Sequence, residues 1–242
     1  MKTIAMIPAR FAASRFPAKL MQRLGSKSVI RHTYDNTIAT GLFDKVMVVT
    51  DSDVIYNEIR SNGGEAKMSK RTHESGSDRI AEAISDMDVD LVINVQGDEP
   101  FVQKEPLEKL LMVFDGNAGK EVSVASLMQV LKEQRLIEDP NYVKVVVDKN
   151  MNALLFSRSV VPYPRSKEIP VIYYEHIGVY AFRKQTLLDF SSWPMTPLEN
   201  VEKIECLRYL ENGVGIKMVI TEYMGVEIDT PEDLERAEKM LL

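Results

Sequence analysis

Short apolar runs alternate with helix-length segments through the first half of this chain, and that alternation restricts the fold more than any other feature. Thr3-Ile4-Ala5-Met6-Ile7, Val46-Met47-Val48-Val49-Thr50, Leu91-Val92-Ile93-Asn94-Val95 and Val122-Ser123-Val124-Ala125 are short and rich in β-branched residues. Such runs suit strands covered on both faces, as in a parallel sheet. Helices are expected between them near 29–40, 53–61, 78–86 and 105–114. The pattern implies an α/β fold: a Rossmann-like mixed, mostly parallel sheet with helices on both faces. Ligands in such folds sit outside the carboxyl ends of the strands.

The middle of the chain changes character. Strands are expected at 143–147, 153–156 and 176–182, with a proline-rich loop from Pro162 to Pro170. These read as a sheet extension or a dimerisation and substrate subdomain. A helix is expected over 198–210, with Leu198, Val201, Ile204, Leu207 and Leu210 on one stripe. A strand follows at 216–220. Thr230-Pro231-Glu232-Asp233 starts the last helix, with Thr230 as N-cap, Pro231 at the first position and Asp233 closing a capping box.

Net charge and cysteine usage narrow the function. A formal net charge of −6 over 242 residues argues against nucleic acid as a partner, which needs basic stripes. Yet Arg10, Arg15, Lys19 and Arg23 place four cations within fourteen residues, pointing to a small anionic ligand. The single Cys206 cannot form an internal disulfide, which fits a reducing, cytoplasmic setting. Its neighbours Ile204 and Leu207 suggest a helix and core packing. No apolar run reaches the ~18 residues of a membrane span, so no membrane insertion is expected. The N-terminus lacks a secretory pattern.

Four groups of residues carry chemistry. The first strand opens into Pro8-Ala9-Arg10-Phe11-Ala12-Ala13-Ser14-Arg15-Phe16-Pro17-Ala18-Lys19, where small residues admit phosphate to backbone N–H groups and the cations offset its charge. It is not a P-loop, because no G-x-x-x-x-G-K-[ST] occurs. Gln96-Gly97-Asp98-Glu99-Pro100 and Val226-Glu227-Ile228-Asp229 each set an aspartate after an apolar run read as a strand, and two such carboxylates can hold Mg²⁺ if the fold brings them together. Ser75-Gly76-Ser77-Asp78-Arg79 precedes a helix and can meet a base edge or phosphate. Arg158, Arg165 and His176 are candidates for a second anion.

In order and spacing these segments resemble one family across nearly the whole length. IPARFAASRFPAK, HESGSDRIAEA, INVQGDEP, NYVKVVVD, ALLFSRSVVPYPR, EHIGVYAF and GVEIDTPEDLERAE are similar to the CMP-Kdo synthetases, the 3-deoxy-manno-octulosonate cytidylyltransferases. The resemblance implies a single domain over 1–242: a nucleotide-binding part at about 1–130, a sugar-binding and dimerisation part at about 131–215, and a strand and helix at 216–242 returning to the main sheet. It implies transfer of CMP from CTP to the anomeric hydroxyl of Kdo, with Mg²⁺ as cofactor, in a homodimer. By the same resemblance, Arg10 and Lys19 hold the CTP phosphates, with Arg15 assisting. Pro8, Ala9, Ser75, Gly76 and Arg79 surround cytosine and ribose. Asp98 and Asp229 bind the metal. Gln96, Arg158, His176, Tyr180 and Glu205 line the sugar pocket, with Arg165 nearby. Glu205 lies about 40° round from Val201 on a helical wheel, and Glu202 is placed similarly. The chain departs from the family pattern at Ala18 (usually Gly), Leu20 and Ser28 (usually Pro) and Ser77 (usually Thr), and the first two are expected to alter the phosphate loop's backbone. Alternatives are a cytidylyltransferase for a sialic, pseudaminic or amino-substituted Kdo acid, and a nucleotide-binding regulatory module without turnover.

Overall fold

A computed structural model of the chain describes residues 1–12, 16–73, 75–166, 168–223 and 226–241. Arg15, assigned to the phosphates on the sequence, lies outside the described residues. The fold is mixed α/β, with mostly parallel central strands flanked by helices. The chain forms two compact units.

The first unit comprises Met1–Leu107, Arg183–Ser191 and Met224–Leu242. Its strand Thr3–Ala9 pairs in parallel with Leu91–Asn94 on one side and Lys45–Thr50 on the other, and Lys45–Thr50 pairs in parallel with Ala66–Met68. Ile4, Ala5, Met6, Ile7 and Ala9 are all buried, as a strand between two parallel neighbours requires. Helices Val29–Ala39, Asp53–Ser61 and Gly76–Ile84 fall where the sequence pattern predicts them, and Lys104–Met112 begins within this unit. The last helix, Pro231–Lys239, starts with the expected capping box. The Asp233 N–H donates to Thr230 Oγ1 at 3.2 Å, and the Thr230 N–H donates back to Asp233 Oδ2 at 2.9 Å.

The second unit comprises Glu108–Phe182 and Ser192–Tyr223. Val124–Leu131 is longer than the predicted run and pairs in parallel with Ile216–Ile220. Tyr173–Arg183 runs antiparallel to Val124–Leu131, with a bulge between Ile177 and Tyr180, and its outer part pairs with Lys144–Val147. Lys144–Val147 in turn pairs antiparallel with Ala153–Ser157.

Two expectations fail. The helix predicted over 198–210 is two short helices, Pro197–Glu202 and Leu207–Glu211. Lys203 takes a left-handed conformation (φ 53°) that ends the first. The apolar stripe is therefore not one face: Val201 is 80% exposed and Leu198 47%, whereas Ile204 and Leu207 are buried. Glu199, itself in a capping box with Thr196, accepts from Arg208 Nε (2.8 Å) and Nη2 (2.5 Å), joining the two pieces through a buried ion pair. Cys206 caps the second helix from outside and is buried, with burial pushing its thiol up to about 12, as suits a core residue. The second failure is the strand expected before Asp229, because residues 226–229 have no regular structure.

Candidate active site

In the first unit, candidate residues gather at the carboxyl end of Thr3–Ala9. Pro8 is the pivot. A Cβ on Gly76 would stand 3.2 Å from Pro8 Cγ, and one on Gly97 would stand 3.1 Å from the Pro8 carbonyl oxygen. A side chain at either position would press on Pro8, so the strand end, the helix start and the turn after Leu91–Asn94 approach closely there. Ser75 caps the helix Gly76–Ile84 by accepting from the Asp78 N–H at 3.1 Å. Arg79 is buried, and its guanidinium donates to Asp51 Oδ2 (2.8 Å) and Ser69 Oγ (3.1 Å). Arg79's hydrogen bond holds the Asp51 carboxyl below the usual carboxylate range, against burial. The pair ties the capped helix to the end of Lys45–Thr50. Arg10 is exposed where the first strand ends.

Lys19 begins a short 3₁₀ turn, Lys19–Met21, entered through Ala18 in the left-handed region (φ 52°, ψ 33°). Its ammonium donates to Asp98 and, at 2.6 Å, to Asp229 Oδ1. Burial draws the Lys19 pKa down, but the Asp98 and Asp229 carboxylates outweigh it and the net shift is upward. Asp98 reaches this point on the turn after Leu91–Asn94. The segment 226–229 reaches it without forming a strand: the Ile228 N–H donates to the Asp98 carbonyl at 3.0 Å, and the Asp229 N–H is held by Asp233 Oδ2 at 3.1 Å. Asp98 and Asp229 thus meet as expected.

The sequence reading missed two further carboxyls. Asp98, Glu227 and Asp229 each present an oxygen within 4.8 Å of the others'. Strict alternation in Val226-Glu227-Ile228-Asp229 carried that signal, with Ile228 buried and the two acids on the opposite side. Glu99, next to Asp98, has its carboxyl pushed up to about 8, chiefly by burial and then by the charges of Asp98 and Glu227. Gln96 is half-buried on the same turn.

Apart from Gln96, the residues expected to bind the sugar lie in the second unit. His176 is packed between the rings of Phe156 (centroids 4.9 Å) and Tyr180 (5.3 Å). Burial pushes its pKa down to about 4, so it is neutral at pH 7. Ser126 Oγ donates to the Val179 carbonyl (2.9 Å) and lies 3.0 Å from His176 Nε2, an arrangement that suits the Nε2–H tautomer. The Tyr180 hydroxyl and the Cys206 thiol share a hydrogen bond. Arg158 is held by three backbone carbonyls: Nε donates to Glu202 (2.7 Å), Nη1 to Pro140 (2.8 Å) and Nη2 to Lys203 (3.3 Å). Glu202 accepts from Ser157 Oγ (2.7 Å) and from the Arg158 N–H (3.0 Å). Glu202 therefore anchors Arg158, while Glu205 lies half-buried between the two short helices, where its charge raises the Tyr180 and Cys206 pKa values. The wheel argument for Glu205 does not apply, because no continuous helix runs through it. Arg165 stands exposed in the 162–170 loop.

A parallel sheet whose strand ends gather paired carboxylates, a lysine and a glycine-dependent loop is a nucleotidyltransferase arrangement. The cytidylyltransferase family profile matches residues 4–220, and the chain belongs to that family. A 3-deoxy-manno-octulosonate cytidylyltransferase of Flavobacterium johnsoniae is 61% identical over 100% of this chain and 99% of its own length. One from Christiangramia forsetii is 55% identical over 99% and 97%. A solved CMP:2-keto-3-deoxy-manno-octonic acid synthetase complexed with CTP superposes with a TM-score of 0.93 at 33% identity, covering 100% of this chain and 98% of its own. Within the family, the chain belongs among the 3-deoxy-manno-octulosonate cytidylyltransferases. A 4-diphosphocytidyl-2C-methyl-D-erythritol synthase from Anaerococcus prevotii, at TM-score 0.64 and 18% identity, shares the fold alone. Among the described residues no helix is long and apolar enough to cross a membrane.

Proposed function

We propose that this protein transfers CMP from CTP to the anomeric hydroxyl of Kdo, forming CMP-Kdo and pyrophosphate for bacterial surface polysaccharide. The observation that carries the reading is the convergence of Asp98 and Asp229 on Lys19. In the reaction the hydroxyl oxygen forms a bond to the α-phosphorus as the bond to pyrophosphate breaks, and the hydroxyl proton passes to solvent. In-line positioning and charge stabilisation are the main demands.

Pro8, Ala9, Ser75 and Gly76 surround cytosine and ribose, with Arg79 holding their loop through Asp51. Arg10 and Lys19 hold the phosphates and stabilise the leaving pyrophosphate, with Arg15 assisting. An all-carboxylate oxygen donor set fits a hard divalent cation. Asp98 and Asp229, with Glu227 beside them, would hold Mg²⁺, which when bound supplies a Lewis acid at the α-phosphate. Arg158 takes the carboxylate of the sugar acid, using the N–H groups its three carbonyl partners leave over. Gln96, neutral His176, Tyr180 and Glu205 bind its hydroxyls, with Arg165 near the entrance. The exposed apolar residues Leu154, Tyr163, Ile169 and Ile172, all in the second unit, support a homodimer built on that sheet extension.

The test is pyrophosphate release from CTP with a panel of 2-keto sugar acids in the presence of Mg²⁺. Turnover with Kdo well above the others is expected. Preference for a sialic or pseudaminic acid would move the substrate, and no release with any acid would refute the enzymatic reading.

A further inference from the structure

The Lys19 ammonium has two competing demands on it. It donates to Asp98 and Asp229, the position a divalent cation would take, and the phosphate role proposed above draws it toward the leaving pyrophosphate. We propose that Lys19 is an exchanging cation. In the nucleotide-free protein it offsets part of the charge of the two carboxylates and clamps them, and it moves to the nucleotide phosphates when a divalent cation takes its place. This rests on the reading of Asp98 and Asp229 as metal-binding residues.

The geometry supports the exchange in three ways. Asp98, Glu227 and Asp229 bring carboxylate oxygens within 4.8 Å of one another, so a cation among them offsets their mutual repulsion. Lys19 lies within bonding distance of both aspartates, at the end of a flexible four-carbon stem that can swing without moving the backbone. The turn that carries it is fixed at both ends: the Met21 N–H donates to the Ala18 carbonyl (2.8 Å) and the Lys19 N–H to the Phe16 carbonyl (3.2 Å). The side chain therefore moves and its base stays.

Expelling an ammonium makes a divalent cation bind poorly to the nucleotide-free protein. Phosphates that accept the displaced ammonium remove that penalty, so nucleotide and metal bind with positive, reciprocal coupling. The clamp also keeps the two aspartates at bonding separation before substrate arrives.

The experiment is Mn²⁺ binding to nucleotide-free protein, read by electron paramagnetic resonance of free Mn²⁺. Lys19→Met should bind Mn²⁺ more tightly than wild type by about 5–150-fold, the usual range of a coupling between sites. Lys19→Met/Asp229→Asn should lose that gain. Equal or weaker Mn²⁺ binding by Lys19→Met overturns the proposal. Removing the clamp can also destabilise the fold, so a second measurement uses the wild-type protein. Acetylation of Lys19, followed by peptide mass spectrometry, should accelerate relative to the other lysines as MgCl₂ is raised without nucleotide. An unchanged relative rate overturns the exchange. Turnover of Asp98→Asn and Asp229→Asn separates the two ideas. Full activity in both sinks the metal reading itself, whereas lost activity with no Mn²⁺ gain in Lys19→Met sinks only the exchange.

Discussion

Ala18→Gly tests whether the phosphate loop is strained where this chain departs from the family pattern. Ala18 has φ 52° and is one of three non-glycine residues with positive φ among those described. A left-handed conformation costs an L-residue roughly 1–2 kcal/mol, which Gly avoids. Against this, Gly gives the unfolded chain extra freedom worth about 0.5–1 kcal/mol. Ala18 is half-buried, so losing its methyl forfeits about 0.4 kcal/mol, half the value of a fully buried carbon. Taken at mid-range, the balance is a gain of about 0.35 kcal/mol, or roughly 1 °C in thermal midpoint for a chain of this size. Calorimetry on wild type, Ala18→Gly and Ala18→Val measures it. Valine should lower the midpoint by more than glycine raises it, because a β-branched residue fits that region worst. The Lys19 turn keeps its hydrogen bonds in Ala18→Gly, so kcat should stay within about twofold. A lower midpoint for glycine together with a tolerated valine would refute the strain argument.

Asp98→Asn and Asp229→Asn should each cut turnover by ~10²-fold or more, the scale for removing a charge-stabilising group, in a pyrophosphate-release assay. CTP affinity should fall less, because Arg10 remains. Arg158→Ala should raise the Kdo KM by roughly 10–150-fold and leave the CTP KM within a few-fold. Arg158→Lys should rescue it poorly, since one ammonium cannot span the Glu202, Pro140 and Lys203 carbonyls and still bind substrate. A KM change confined to CTP would move Arg158 out of the sugar pocket. His176 gives a pH signature in stability. Its folded pKa, about 4, lies below the ordinary 6.5, so the unfolded chain binds more protons between those values. Its contribution is complete above 6.5 and is lost as pH falls toward 4. Denaturant midpoints measured across that window should show a decline that His176→Asn flattens, and an unchanged slope in the variant would contradict a buried neutral imidazole.

How much was legible in the sequence depended on whether a signal belonged to side chains or to backbone. The strands of the first unit were readable because Ile4–Ile7 and Val46–Val49 are covered on both faces, and continuous burial writes itself as a continuous apolar run. The interrupted helix was not, because Leu198, Val201, Ile204 and Leu207 keep helical spacing straight through a left-handed Lys203 that nothing local announces. Asp98 and Asp229 were legible as carboxylates after apolar runs. Their meeting at Lys19, 79 and 210 residues away, is a property of tertiary folding that spacing cannot encode.

The same distinction applies to the residues proposed to bind the sugar acid. Three acceptors of Arg158 are main-chain carbonyls, and a carbonyl has no residue identity to read. A cation known only from sequence looks available to any anion. Held by Glu202, Pro140 and Lys203, Arg158 presents a fixed direction and a reduced set of donors, and in the sugar pocket proposed above that restriction would let one arginine discriminate among sugar acids that all carry the same carboxylate. Arg165, exposed in its loop, has no such anchoring among the described residues, so selectivity should respond to Arg158 and its Glu202 anchor before it responds to Arg165.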